Sequence, residues 1–483
     1  MIRIRVILLI IGYLLSFLGA SMVVPLIADY FANNYNWQAF ATSIFFTIFI
    51  GVSFILTCRQ NRIKDISIKE AFLLTSVSWI ILVLFASLPF YLSELNLTYT
   101  NSFFEAMSGL TTTGATIIAD LNECSAGILI WRAMLEWFGG IGIIVMAIAV
   151  LPFLRIGGMQ LFRTESSDKS DKILPRTKQF SIIIGLIYLS LTIICSASYF
   201  LAGMSLFDAV LHAMTTVSTG GFSTKNESIG FFDSFSIEII AMIFIVICSI
   251  PFPIHIKIIR GEMVNIFKDN QVSGFFILLI MTILVATYWL IMQFGYDYKT
   301  ALRLASFNVT AILTTTGFAS DNYYLWGDFI ITLMFLISVV GGCTGSTTGG
   351  IKIFRFQILY YTAKYQIFKL INPHGIYRFQ YNKHSVSDGV SAAVMSFFIF
   401  FCLCFVIISL LLSFSGLDYI TSISGAAAAV ANVGPGLGDV IGPAGNYETV
   451  NNFAKWVLAT GMLIGRLEIF TIFVLFSRNF WKD

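Results

Sequence analysis

Four short segments of this chain set glycine among small hydroxyl or amide residues in otherwise apolar surroundings. They are "TTTGAT" at Thr111 to Thr116, "VSTGGF" at Val217 to Phe222, "TTTGFA" at Thr314 to Ala319 and "NVGPGL" at Asn432 to Leu437. The chemistry they offer is coordination by backbone oxygen. A narrow ring of carbonyls aimed at one axis can replace the water around a dehydrated monovalent cation. Glycine suits this because it takes φ > 0 cheaply, which turns neighbouring carbonyls inward, and because it lets four backbones approach closely. Threonine and serine just before it add small hydroxyl ligands.

Taking Gly114, Gly220, Gly317 and Gly434 as equivalent points, the candidate ligating residues fall into four sets. They are Thr112, Thr113, Gly114 and Ala115; Ser218, Thr219, Gly220 and Gly221; Thr315, Thr316, Gly317 and Phe318; and Asn432, Val433, Gly434 and Pro435. The first three keep Ser or Thr immediately before the glycine, and the fourth departs. Small residues also let membrane helices pack closely. Four such motifs, each behind a short apolar segment on the same side of a membrane, fit that use poorly.

The elements that must position these segments follow from composition. Of 483 residues, 57% are apolar and 11% charged, with a mean hydropathy of +0.85. No soluble domain buries that much apolar side chain, so the chain is a multi-span membrane protein in contact with lipid. A net charge of +3 without a basic stripe argues against nucleic-acid binding. Seven cysteines without a C-x-x-C pair signal neither a disulfide framework nor a zinc site and read as small core residues. The basic, apolar N-terminus resembles a signal peptide up to "LGAS". The apolar run continues through Val23, Val24, Leu26 and Ile27, which favours a retained first span.

Apolar runs near the roughly 20 residues a bilayer requires lie at about 6–28, 38–57, 71–93, 129–154, 180–202, 234–256, 273–294, 328–350, 390–414 and 453–476, which makes ten helical crossings. Helices are expected because a span must satisfy its own backbone hydrogen bonds. Of 29 Lys and Arg residues, 23 fall on the side that holds both termini, which makes that side cytoplasmic. The opposite side carries four long connections, each with one glycine motif behind an apolar segment long enough only for a re-entrant half-helix. The expected fold is all-α and polytopic. Four tandem units of span, pore half-helix, loop and span surround a pseudo-fourfold pore, with two extra N-terminal spans. The glycines repeat at intervals of 106, 97 and 117 residues. The boundaries are 1–65 for the extra spans and 66–179, 180–271, 272–388 and 389–483 for the four units.

Two further features belong to the inner half of this plan. "VVGGCTGSTTGGIKIF" places Gly341, Gly342, Gly345, Ser346, Thr347, Thr348, Gly349 and Gly350 where the third unit's second span should run. Glycine costs about 1 kcal/mol in a helix interior relative to alanine. The span is therefore expected to break, either as a mobile gate loop lining the pore or for close packing through Gly-x-x-x-Gly. Arg466 lies in mid-span, where a charge is costly unless it faces a pore or a partner. It reads as a pore-lining charge or as one half of an ion pair, with Glu468 or another helix. Glu105, Asp208 and His212 lie in or beside the half-helices and either attract cations or are satisfied hydrogen-bonding groups, the commoner case.

With these residues in view the chain resembles the Trk/Ktr/HKT potassium transporters, closest to the ten-span bacterial TrkH/TrkG type. The resemblance runs through the two leading spans, the four units, "GGCTGSTTGGIKIFR" at Gly341 to Arg355 and "GMLIGRLEIFT" at Gly461 to Thr471. It implies a single-chain potassium filter with one loop from each repeat, potassium as the only ligand and no organic cofactor. It also implies a homodimer in the bacterial inner membrane and a soluble TrkA-like nucleotide-binding ring on the cytoplasmic face. The 351–388 loop, with Lys352, Arg355, Lys364, Lys369, Arg378 and Lys383, is a candidate docking surface for that ring or simply a positive-inside loop. A secondary transporter coupling potassium to protons or sodium is the alternative. Against it stand the parallel repeats and the lack of a carboxylate chain suited to proton relay. An intramembrane enzyme lacks any H-E-x-x-H, G-x-S-x-G or paired-aspartate core.

Overall fold

Each short helix that precedes a glycine motif starts on a capping side chain. Thr98 accepts from the Asn101 N–H ahead of Tyr99–Leu110, and Ser205 from Asp208 ahead of Leu206–Val217. Asp297 accepts from Lys299 and Thr300 ahead of Tyr298–Leu313, and Asp418 from Thr421 ahead of Tyr419–Ala431. Such a cap satisfies a donor that the helix leaves orphaned. The four helices have 12, 12, 16 and 13 residues. At 1.5 Å per residue none crosses a hydrocarbon core of about 30 Å.

The computed structural model describes residues 2–59, 66–149, 173–262, 266–374, 380–382, 384–386 and 388–482. Arg62, Lys64, Arg155, Arg163, Lys169, Lys172, Arg378 and Lys383, counted above for orientation, lie outside them, as does the end of the expected 129–154 span.

Among the described residues the architecture is helical, apart from a two-residue ladder of Gln380–Tyr381 with His384–Ser385. Ile4–Phe31 and Trp37–Cys58 stand ahead of the repeats. They pack so closely that a Cβ on Gly51 would meet the Ser16 side chain at 2.7 Å. Four units follow, each with a long first helix (Ile68–Leu92, Ile173–Leu201, Asn270–Phe294, Asp388–Phe414), a half-helix, a loop and a second helical element. The half-helices pack against the second helices, and the last of these, Asn452–Arg466, also packs against the first half-helix. The chain thus closes on itself.

The ten expected crossings are not all continuous helices. Among the described residues seven helices are long and apolar enough to cross, or nine if each of two bent pairs counts once. The expected 328–350 span holds only the 11-residue helix Asp328–Ser338, and helix resumes at Ile353. Gly341, Gly345, Gly350 and Lys352 take positive φ in between, so the expected break is present. Two other second spans are bent as well. Phe235–Ser249 meets Phe252–Ile259 at 95° across Pro251, which has no N–H to continue the ladder. Asn452–Arg466 meets Phe470–Phe476 at 101° across Glu468, whose φ is +58°. Five of the seven cysteines are buried as expected, but Cys124 is half-buried and Cys402 exposed.

Candidate functional site

Backbone dihedrals set the register of the four loops. In each, the residue just after the half-helix, or one beyond it, takes a left-handed φ: Thr112 at +50°, Thr219 at +52°, Thr315 at +60° and Asn432 at +56°. Two residues later comes a glycine with positive φ: Gly114 at +80°, Gly221 at +89°, Gly317 at +80° and Gly434 at +100°. The residue between them, Thr113, Gly220, Thr316 or Val433, donates its N–H to a carbonyl five positions back at 2.8 to 2.9 Å. The alignment on Gly220 is therefore one residue early. Gly221 is the counterpart of Gly114, and Gly220 stands where Thr113 and Thr316 stand. A side chain at Gly220 would strike the Glu136 carboxylate, which fills that room. The adjacent pair Gly220 and Gly221 concealed the register, but cap spacing reveals it. Sixteen residues separate Thr98 from Gly114, Ser205 from Gly221 and Asp418 from Gly434. The third unit adds four, one helical turn.

The four loops meet in a ring. A Cβ on Gly114 would collide with the Gly220 carbonyl oxygen, one on Gly221 with that of Thr316, one on Gly317 with that of Val433, and one on Gly434 with that of Thr113. Each glycine thus seats against the carbonyl that precedes the next loop's glycine, and the fourth seats against the first. All four half-helices end at this ring, so their C-terminal partial charges, about −0.5 each at full strength, favour a cation there.

Side chains brace the ring unequally. Thr111 and Thr113 share a hydroxyl hydrogen bond at 2.8 Å, and Thr314 and Thr316 one at 2.9 Å. Ser218 Oγ donates to the Thr215 carbonyl at 3.1 Å. Thr112 Oγ1 is buried with no partner among the described residues. Asn432 tolerates left-handed φ better than a β-branched residue does, and its Nδ2 donates to Thr113 Oγ1 at 3.0 Å and to the Met462 carbonyl at 2.9 Å. The fourth loop thus replaces threonine with a residue suited to its backbone. Ala115 and Phe318 are buried, and Ala115 and Pro435 line the cavity at the mouth of the ring.

Nine residues before their glycines, Glu105, His212 and Asn308 each hold the strand that leaves the ring. Glu105 accepts from the Ile117 N–H at 2.9 Å, His212 Nε2 pairs with Ser223 Oγ at 2.9 Å, and Asn308 accepts from the Ser320 N–H at 3.2 Å. Glu105 also pairs with the buried Arg132 at 2.7 Å. Asp208 accepts from Thr224 at 2.6 Å and Ser205 at 2.7 Å. All three acidic or imidazole groups named from the sequence are hydrogen-bonded. Sequence reasoning missed Glu136, fully buried and accepting from the Phe222 N–H at 3.1 Å. Its signal was a lone carboxylate in the apolar run "AMLEWFGG".

A cavity of about 70 Å³ opens on the side of the ring away from the half-helix ends, touching all four positive-φ glycines together with Lys225 and Tyr447. The segment 339–352 is hydrogen-bonded to residues at the half-helix ends. The Gly349 N–H donates to Thr315 Oγ1 at 2.7 Å, the Gly350 N–H to the Ala431 carbonyl at 2.8 Å, and Thr219 Oγ1 to Thr347 Oγ1 at 3.1 Å. Residues 341–348 are all buried. The bend in the second unit holds this segment. Cys343 N–H donates to the Ser249 carbonyl at 3.0 Å, and Phe252 N–H to the Gly345 carbonyl at 2.9 Å. Gly342 N–H donates to Thr348 Oγ1 at 3.1 Å, and Ser346 Oγ lies 2.8 Å from the same hydroxyl. Arg466 donates to the Thr347 carbonyl at 3.1 Å rather than pairing with Glu468, whose carboxylate is taken by Arg355 at 2.5 Å. Lys352 Nζ donates to the Thr348 carbonyl.

The class these features define is a single-chain helical membrane protein whose four repeats set one loop each around a common axis. The family model for TrkH, a cation transport protein, matches residues 36–483. The chain belongs to this family. It is 42% identical over 470 residues to the Trk system potassium uptake protein TrkI of Halomonas elongata, covering 96% of this chain and 94% of that one. It is 35% identical to the Trk system potassium uptake protein TrkH of Escherichia coli (strain K12) over 486 residues, covering 99% of each. The crystal structure of the potassium transporter TrkH from Vibrio parahaemolyticus superposes with a TM-score of 0.91 at 35% identity, covering 100% of both chains.

Proposed function

We propose that this chain takes up potassium across the bacterial inner membrane through one filter built from its four loops. The observation that carries the reading is the cyclic seating of Gly114, Gly221, Gly317 and Gly434 against the carbonyls of Gly220, Thr316, Val433 and Thr113. Four half-helix C-termini converge on that ring, and the carbonyls replace a potassium ion's hydration shell. The filter residues are Thr112 to Ala115, Thr219 to Phe222, Thr315 to Phe318 and Asn432 to Pro435. Ser218 moves just outside the set once Gly221 is the counterpart of Gly114. The repeats run over 66–179, 180–271, 272–388 and 389–483, after extra spans at 1–65.

In this reading the segment Gly341 to Gly350 is a gate, and Arg466 both clasps it and adds a positive charge below the filter. The bonds that Gly349 and Gly350 donate to Thr315 and Ala431, and the one that Thr347 accepts from Thr219, tie the segment to three of the four repeats and support a closed state. Both termini lie in the cytoplasm. The chain works as a homodimer with a TrkA-like nucleotide-binding ring, in keeping with its relatives being Trk system proteins. Glu136, buried beside the ring, keeps ion-coupled symport as a second reading. Reversal potentials in liposomes, with potassium and proton gradients varied independently, separate the two. Potentials that follow potassium alone support the channel, and a proton contribution of fixed stoichiometry supports symport.

A further inference from the structure

The fourth loop poses a structural problem. The peptide plane after each ring glycine must be held if its carbonyl is to keep one direction. In the second loop the Gly221–Phe222 plane is held through its N–H, which donates to Glu136 at 3.1 Å. The Gly434–Pro435 peptide has no N–H, and Val433 supplies no hydroxyl. What holds it is Tyr447. The phenol donates to the Gly434 carbonyl at 2.8 Å, while the Tyr447 N–H donates to the Thr116 carbonyl at 2.8 Å. Thr116 Oγ1 in turn donates to Glu105 at 2.9 Å. Among the described residues, the carbonyls of Gly114, Gly221 and Gly317 accept no such bond.

Tyr447 is 3% exposed, its ring centroid is 5.4 Å from that of Phe104, and it borders the cavity outside the ring. A tyrosine hydroxyl that gives its proton to Gly434 still has lone pairs to present to that cavity. We propose that Tyr447 is a positioning residue for cation discrimination. It fixes the Gly434 carbonyl from the one side on which a prolyl peptide can be held, and it seals the seam between the fourth and first loops. The proposal rests on the reading of the four loops as a filter.

The test is Tyr447→Phe in the full-length protein, reconstituted in liposomes, with potassium and sodium on opposite sides. Phenylalanine keeps the ring against Phe104 and the backbone bond to Thr116, so the variant isolates the hydroxyl. The sodium-to-potassium permeability ratio should rise about two- to tenfold, the range a single hydrogen bond spans. Gly434→Ser is measured beside it. If Gly434→Ser leaves the ratio at the parent value, the filter reading fails and takes the proposal with it. If Gly434→Ser alters the ratio while Tyr447→Phe does not, the filter stands and the role of Tyr447 is overturned. A fall in melting temperature at an unaltered ratio also overturns it, since a purely structural tyrosine behaves that way.

Discussion

Arg466 reaches the Thr347 carbonyl at 3.1 Å and so joins the last long helix to the middle of the segment that interrupts the third repeat. The guanidinium is 3% exposed, and its Nε has no partner among the described residues. In the proposed reading this one side chain supplies both the clasp on the segment and the positive charge below the filter.

Replacing Arg466 with alanine should raise basal potassium flux. A hydrogen bond from a charged group is worth about 1.5 to 3 kcal/mol, which corresponds to an increase of about tenfold or more in the open fraction. Arg466→Lys, which keeps the charge, should fall between parent and alanine. Unchanged flux from folded Arg466→Ala protein in a liposome assay would remove it from the gate.

Gly114→Ser should admit sodium. The residue sits at φ +80° and its new side chain meets the Gly220 carbonyl, so one ring oxygen must shift. Left-handed backbone alone costs about 1 to 2 kcal/mol. The same reasoning ranks two neighbours. Gly221→Ala, at φ +89° against the Thr316 carbonyl, should damage potassium-over-sodium selectivity more than Gly220→Ala, which meets the Glu136 side chain. Bi-ionic potentials showing the reverse order would restore the alignment on Gly220.

That pair marks the limit of what the sequence discloses. The number of repeats, the half-helices and the break near Gly341 were legible because hydrophobic runs and glycine clusters act locally. The choice of Gly221 over Gly220 showed only in the spacing from the caps, because two adjacent glycines concealed it and the side chain that fills the room at Gly220, Glu136, comes from another span. The bends at Pro251 and Glu468 were also missed, since the apolar runs on both sides of each are long enough together to read as one span. Glu468 was one of the partners offered for Arg466 should it be an ion pair and not a pore charge, and the fold gives Glu468 to Arg355, 113 residues distant.

Gly349→Ala should loosen the gate by a different route. A methyl group there collides with the Ala431 carbonyl, while one on Gly345 meets only Pro253 Cδ at 3.8 Å and is opposed chiefly by the φ of +80°. The Gly349 variant should therefore raise basal flux more than Gly345→Ala, and deletion of residues 345–349 should raise it most. Potassium-to-sodium ratios should stay near the parent value in all three. A folded deletion variant that conducts no more than the parent would leave these glycines a packing role only.

Glu468→Gln should destabilise the protein by about 3 to 5 kcal/mol, the usual result of stranding a buried charge. Arg355 loses the charge of its 2.5 Å partner, while its stacking over Phe397, 3.7 Å from the ring centroid, and its bond to the Ile351 carbonyl at 2.9 Å remain. Thermal unfolding in detergent measures the loss. A melting temperature equal to the parent's would mean that the pair contributes little.

The seam between the fourth and first loops also fixes an order of events during synthesis. Asn432 and Thr113, which meet across it, are 319 residues apart. At about 5 to 20 residues per second, the ribosome takes about 15 to 60 s to travel from one to the other. Three seams can form between neighbouring repeats as each leaves the ribosome, but the fourth waits for the C-terminal quarter. Throughout that interval the Thr113 carbonyl has no glycine to seat against it. The first loop to be made is therefore the last to be finished.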